Sequence, residues 1–273
     1  MKVSGDETGV KLVIFTDLDG TLLDAGTYSF EKALPALDLI RQRKIPLVLV
    51  SSKTRAELEV LRKRLNNSHP FISENGGGIF IPEGYFPFSV EGISTSGYRL
   101  ISLGMPYGAV RRRFVALRER LGIGVRGFGD MTDREVADLT GLTMAEASLA
   151  KERDYCEPFV FEGDPDERFM QEIEREKLRW TQGRLFHIMG DHHKGKAVEI
   201  LTRMYVQQYG AVKTIGLGDS LNDLAFLLAV DQAVLVKKKN GKHDDRIAVP
   251  GLLRTNGAGP EGWNEAVLRL LEK

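Results

Sequence analysis

Leu12-Val13-Ile14-Phe15-Thr16-Asp17-Leu18-Asp19-Gly20-Thr21 runs unbroken and apolar until it ends on two aspartates and a glycine. A strand without polar alternation is buried on both faces, as in a parallel sheet. Carboxylates at i and i+2 beyond such a strand point to one side. They lie where open α/β sheets place ligands, outside the carboxyl ends of the strands. Gly20 permits a sharp turn behind them. Asp-Gly is also a common turn pair, but a turn alone gives no reason for two aspartates behind a buried strand.

Downstream of this stretch the chain alternates. A helical pattern over 30–43 precedes a buried strand over 45–50. Thr54 with Glu57 three residues on spells a capping box for a helix over 54–65, and Phe71-Ile72 reads as a third strand. After Asn75 the pattern changes. Glycines 76–78 and 84 punctuate short apolar pairs, and residues 85–189 mix strand-like and helical stretches. Regular alternation resumes with a helix over 195–209, a strand over 212–217 and a closing helix over 263–271. The expected fold is α/β, a doubly wound parallel sheet. Its core is built from 1–84 and 190–273, with an α+β cap inserted at 85–189.

Composition sets broad limits. Lys plus Arg and Asp plus Glu are both 38, so no global field draws the chain to nucleic acid or an acidic membrane. The runs Arg111–Arg113 and Lys237–Lys239 read as solvated surface, although the lysines precede a loop that could border an anion site. Met1 to Val10 is polar and unlike a leader, and no apolar run reaches the ~18 residues of a membrane span. Cys156 is the single cysteine, so no internal disulfide can form; a cytoplasmic location is expected. Oligomeric state is not legible.

Three further segments end or follow strands: Ser51-Ser52, Lys194-Gly195-Lys196 and Gly218-Asp219-Ser220-Leu221-Asn222-Asp223. Singly, Ser51 reads equally as a helix cap, Lys194 as a surface lysine and Asp219 as a cap. Their joint order with Asp17-x-Asp19-Gly20-Thr21 resembles the four motifs of the haloacid dehalogenase-like phosphatases. The resemblance implies that Asp17 is the nucleophile and Asp19 the general acid and base. It implies Mg²⁺ held by Asp17, the carbonyl of Asp19 and Asp219, with Asp223 orienting that shell. Ser51 and Lys194 then hold phosphate oxygens, and Asn222 positions one of them. The chemistry is coherent. A carboxylate attacks phosphorus only once charge is neutralised, and an alkoxide leaves only with a proton. The family's Asp-Lys-Gly-Lys appears here as His193-Lys194-Gly195-Lys196. Three histidines, His187, His192 and His193, also raise a zinc reading, without the spacing or cysteines that usually carry it.

Segments beyond the motifs resemble the mannosyl-3-phosphoglycerate phosphatases: Ser51–Thr54, Ser73–Gly77, Arg126–Met131, Tyr155–Phe159 and Gly259–Asn264. The implied substrate is a small phosphorylated sugar-glycerate, with the glucosyl ester as the near alternative. Ser52, Glu74, Asn75, Gly76, Arg126 and Glu157 are the expected substrate contacts. Among them, Arg126 is expected to fork the carboxylate, and Glu74 and Glu157 to meet sugar hydroxyls. A phosphomutase using the same Asp17 chemistry and a non-catalytic phosphosugar-binding module are the rival functions.

Overall fold

A computed structural model describes residues 10–272; of the polar stretch Met1 to Val10, all but Val10 lies outside the described residues. In chain order the strands are β1 Lys11–Thr16, β2 Leu47–Val50, β3 Phe71–Ser73, β4 Gly78–Pro82, β5 Ile93–Thr95, β6 Tyr98–Ser102, β7 Val125–Gly127, β8 Cys156–Phe161, β9 Arg179–Gln182, β10 Phe186–Met189, β11 Val212–Gly218, β12 Gln232–Lys237 and β13 Leu253–Ala258. The helices are α1 Leu34–Gln42, α2 Arg55–Arg64, α3 Tyr107–Leu121, α4 Asp133–Thr140, α5 Met144–Lys151, α6 Glu167–Arg175, α7 Lys194–Tyr209, α8 Leu224–Leu227 and α9 Gly259–Leu271.

Nine strands form one sheet in the order β13-β12-β11-β1-β2-β3-β4-β6-β5. From β13 to β3 neighbours are parallel, and β4, β6 and β5 continue antiparallel. β1 sits inside the sheet, which explains its continuous apolar run: Val13, Ile14 and Phe15 are all buried. Ile14 faces the layer of α1, α2 and α9, with Leu37, Leu58 and Trp263. Val13 and Phe15 face the layer of α7 and α8, with Leu201 and Phe226. The doubly wound fold is therefore present.

β7-β8-β10-β9 form a separate antiparallel sheet. One of its faces packs Phe159 and Ile188 against Phe114 of α3 and Phe169 of α6. On the other, Val160 and Leu185 support a small cluster with Phe128, Val136 of α4 and Ala147 of α5. The expected cap start at 85 falls too early. β6 pairs with β4 from Gly78↔Ser102 to Pro82↔Tyr98, so the chain leaves the large sheet only after Ser102. The open edge of β4 supplies backbone partners that a strand beside it satisfies. No helix among the described residues is long and apolar enough to cross a membrane.

Candidate active site

Asp17 is the first residue beyond β1, and its N–H donates to the Leu217 carbonyl at 2.8 Å. The turn that follows is locked by Gly20 at φ 85°; a Cβ there would stand 2.9 Å from Asp219 Oδ2. Glycine thus supplies both the left-handed backbone and the close approach of two loops. Behind the strand end, Thr16 Oγ1 donates to the Asp17 carbonyl at 2.7 Å and accepts from Trp263 Nε1 at 2.9 Å. The buried indole of α9 therefore anchors the segment that carries Asp17. Sequence reasoning had quoted Trp263 without giving it this task.

Lys194 opens α7, and its fully buried Nζ donates to Asp17 Oδ1 at 2.6 Å and to Asp223 Oδ1 at 2.7 Å. His193, where an acid is usual, caps the helix by accepting from the Lys196 N–H at 3.2 Å. The imidazole replaces a carboxylate as acceptor, so Lys194 keeps its place. Asp223 Oδ2 accepts the N–H groups of Asp219 and Ser220 at 3.0 and 3.1 Å. Asp17, Asp219 and Asp223 offer oxygens that all lie within 4.8 Å of one another. Burial, then the Asp223 charge, pushes the Asp17 carboxyl well above its ordinary range, with Lys194 opposing. The same two causes push Asp219 up to about 7. Burial draws Lys194 down, but Asp17 and Asp223 outweigh it and hold the ammonium charged. Three buried carboxylates share one buried cation. An oxygen-only donor set with surplus negative charge fits a hard divalent cation such as Mg²⁺. The fully bonded Asp223 orients its neighbours.

Asp19 is held by Lys53, with Nζ 3.1 Å from Oδ2, while its Oδ1 is buried without a partner. Ser51 is buried, and its Oγ accepts from the Lys53 N–H at 3.1 Å. Asn75 ties in through its N–H to the Ser51 carbonyl at 2.9 Å, and Asn222 Nδ2 reaches Asn75 Oδ1 at 3.4 Å. Gly76, at φ 97°, lets this loop touch the Lys194 loop; a Cβ would stand 2.4 Å from the His193 carbonyl. The structure thus brings Asp17, Asp19, Ser51, Asn75, Gly76, Lys194, Asp219, Asn222 and Asp223 together at the carboxyl end of the sheet.

Of the remaining expected contacts, Glu74, Glu157 and Arg126 are committed elsewhere. Glu74 is fully buried, and its carboxylate accepts the N–H groups of Asp154, Tyr155 and Cys156 at 2.7 to 2.9 Å, with Arg153 Nε at 3.4 Å. It pins the second sheet to the core and has no oxygen left for a sugar. Ser52 gives its carbonyl to Arg153 Nη2 at 2.9 Å on the same seam. Glu157 is also fully buried, taken by Tyr107 Oη at 2.7 Å and the Gly129 N–H at 2.9 Å. Arg126 forms an ion pair with Glu135 of α4 at 2.6 Å, away from the aspartates. Phe128 is buried in the cluster under α4. The three histidines do not converge. His192 Nε2 meets the Glu74 carbonyl, His187 faces Cys156, and His193 caps α7. Among the described residues the acidic trio is the one group able to hold a metal.

The α4–α5 hairpin closes over the site. Tyr28 Oη donates to the Thr140 carbonyl at 3.2 Å and accepts from Arg184 Nη1 at 2.8 Å, and Thr54 Oγ1 donates to the Leu149 carbonyl at 2.9 Å. The space beside Lys53 and Tyr28 in this closed seam is about 50 Å³, too small for a sugar. A larger recess of about 350 Å³, lined by Leu37, Lys44, Leu65 and Asn67, lies at the N-terminal ends of β2 and β3, opposite the aspartates. Sequence reasoning missed Lys53, Tyr28 and Arg184. The position of Lys53 two residues after Ser51 was the one signal available for any of them.

Residues 14–95 match the haloacid dehalogenase-like hydrolase family. A glucosyl-3-phosphoglycerate/mannosyl-3-phosphoglycerate phosphatase of Methanococcoides burtonii is 46% identical over 268 residues, 97% of this chain and 98% of that one. A mannosyl-3-phosphoglycerate phosphatase of Pyrococcus furiosus is 35% identical over 82% of this chain and 90% of its own. A Thermoplasma acidophilum crystal structure superposes with a TM-score of 0.69 at 17% identity, over 97% of this chain and 99% of that one.

Proposed function

The chain belongs to the haloacid dehalogenase-like hydrolases and is a phosphatase, and from that premise we propose that it hydrolyses mannosyl-3-phosphoglycerate, and its glucosyl counterpart, through an aspartyl-phosphate on Asp17. The observation that carries the chemistry is the buried trio Asp17, Asp219 and Asp223, of which Asp17 and Asp223 share the buried Lys194. A bare carboxylate at a strand end is a nucleophile once the repulsion of the phosphate is removed. Asp17 and Asp219, with the carbonyl of Asp19, would hold Mg²⁺. When bound, the ion neutralises the approaching phosphate and polarises its oxygens. Ser51 Oγ and Lys194 Nζ, on loops bridged by the Asn75-Gly76 segment, hold phosphate oxygens in the attacking geometry.

Asp19 gives its proton to the departing ester oxygen and then takes one from the water that attacks the phosphorus of the aspartyl-phosphate. The free acid thereby regains its role for the next turn. Asp223 keeps Lys194 and the Asp219 loop aligned. The closed seam between α2 and the α4–α5 hairpin excludes bulk water and opens to exchange substrate and product. The substrate reading is supported by the name of a relative 46% identical across the whole chain. The expected location is the cytoplasm, in keeping with one buried free cysteine.

The test is phosphate release from a panel of phosphorylated metabolites in Mg²⁺, followed by rapid-quench mass spectrometry of the enzyme. Phosphate on Asp17, with mannosyl- and glucosyl-3-phosphoglycerate preferred, is the expected result. Label on a serine or histidine would falsify the mechanism. Undiminished activity after exhaustive chelation would remove the metal.

A further inference from the structure

Lys53 and Arg184 reach one side chain from opposite sides of the seam. Lys53 belongs to the loop after β2, beside Ser51. Its side chain is 12% exposed, and Nζ lies 3.1 Å from Asp19 Oδ2 and 3.4 Å from Glu57 Oε1. That ammonium stands over the Tyr28 ring at 5.0 Å. Arg184 lies in the turn between β9 and β10 and donates to Tyr28 Oη at 2.8 Å. Among the described residues the Arg184 guanidinium pairs with no carboxylate. Tyr28 itself sits at φ 55°, a backbone region costly for a side chain that size. The phenol responds to its setting: burial raises its hydroxyl's pKa, Asp19 raises it further, and Lys53 and Arg184 oppose.

We propose that Lys53 and Arg184, meeting across Tyr28, form the site for the substrate's carboxylate and set the preference for a phosphorylated hydroxy acid over the corresponding alcohol. This rests on the substrate class proposed above and adds the residues that read its second anion.

The argument is one of reach and charge. Asp19 must come within hydrogen-bond distance of the ester oxygen to protonate it. In a 3-phosphoglycerate the carboxylate is two carbons from that oxygen. A cation 3.1 Å from Asp19 therefore stands in the small volume where the carboxylate must lie. An ammonium carries three donors, and Lys53 spends two of them on Asp19 and Glu57, so one remains for a further acceptor. Arg184 adds a planar fork from the cap, so carboxylate binding and seam closure reinforce each other. The other cations nearby are spent: Lys194 on Asp17 and Asp223, Arg153 on Glu74, and Lys238 on Asp244.

The experiment compares kcat/KM for 2-O-mannosyl-3-phosphoglycerate and for the same ester with its carboxylate reduced to an alcohol. It uses wild type, Lys53→Met, Lys53→Arg, Arg184→Met and the double Met variant. The readout is the ratio of acid to alcohol, in which any general loss through Asp19 cancels. Each Met change should lower the wild-type ratio about 10- to 100-fold, the span of one charged hydrogen bond. The double variant should approach unity, and Lys53→Arg should restore most of the ratio. A high wild-type ratio kept by Arg184→Met and the double variant overturns the proposal and leaves the substrate class standing. A wild-type ratio near unity overturns both.

Discussion

The floor around Asp17 and the inner side of the second sheet around Glu157 are both buried and charged, but they balance differently. At the floor, three carboxylates face one lysine, and burial leaves Asp17 and Asp219 reluctant to ionise. In the sheet, the two carboxylates of Asp130 and Glu157 face the two guanidinium groups of Arg111 and Arg118 and accept the backbone N–H groups of Gly127 and Gly129, so the charges balance. A buried polar cluster that satisfies itself holds structure together. A cluster left with surplus charge costs stability, and something from outside must complete it. The same residue types are balanced in one place and left with surplus charge in the other.

Removing charge from each cluster should separate them, and the floor gives the largest effect. Asp17→Asn is expected to lower kcat by at least ~10⁴-fold, since the proposed nucleophile is lost. The same change should raise the melting temperature of the metal-free protein, because it relieves repulsion and desolvation at once. Thermal melts in chelator beside phosphate-release assays check both halves. A lower melting temperature would mean that the trio is an ordinary structural ion-pair network.

The opposite sign is expected at Glu157. Glu157→Gln removes the charge that Arg111 and two donors satisfy, and should cost about 1–3 kcal/mol in urea denaturation. Turnover measured below the unfolding transition should be retained. A kcat lost in the fully folded variant would place Glu157 in the chemistry after all.

Three histidines sharpen the contrast through pH. Burial holds His69 and His192 down to about 4 and His187 to about 3, all below 6.5. As pH falls, the unfolded chain takes up these protons before the folded one does. Stability is therefore full above about pH 6.5 and is lost as pH falls towards 4, each histidine adding a slope of up to ~1.4 kcal/mol per pH unit. Asp17 and Asp219, held up by burial, slope the other way, so the test uses the Asp17→Asn/Asp219→Asn protein. Its urea midpoints at pH 7.5, 6 and 5 should fall in that order, and equal midpoints would refute the burial argument.

The smallest effect is expected at Arg126. Its pair with Glu135 is screened by solvent, so Arg126→Ala should leave the urea midpoint almost unchanged. KM for a carboxylate-bearing substrate should not change. A raised KM would return this arginine to the site from which its partner now excludes it.

Much of the fold, and the gathering of Asp17, Ser51, Lys194 and Asp219 at one end of the sheet, were legible in the sequence because they are written locally. A strand buried on both faces shows as an unbroken apolar run, and the carboxylates that matter follow it within three residues. The repeats of that arrangement at Ser51, Lys194 and Asp219 mark where other strands and helices end at the same edge. The helices α4 and α5 were legible too, since Thr132 with Glu135 and Thr143 with Glu146 form capping boxes like that of Thr54 with Glu57. They were passed over within the mixed pattern of the inserted segment.

What the sequence could not decide was which charges are already matched. Glu74, Arg126 and Glu157 carry the right chemistry for a sugar-glycerate, and so do Lys53 and Arg184. Glu74 is taken by a backbone 80 residues away and Glu157 by a tyrosine 50 away, whereas Arg184 reaches Tyr28 across 156 residues and meets no carboxylate there. A side chain's type sets what it is able to bind. Only the folded chain decides whether a partner from far along the sequence has claimed it first, because a buried charge takes whichever counter-group packing brings within reach.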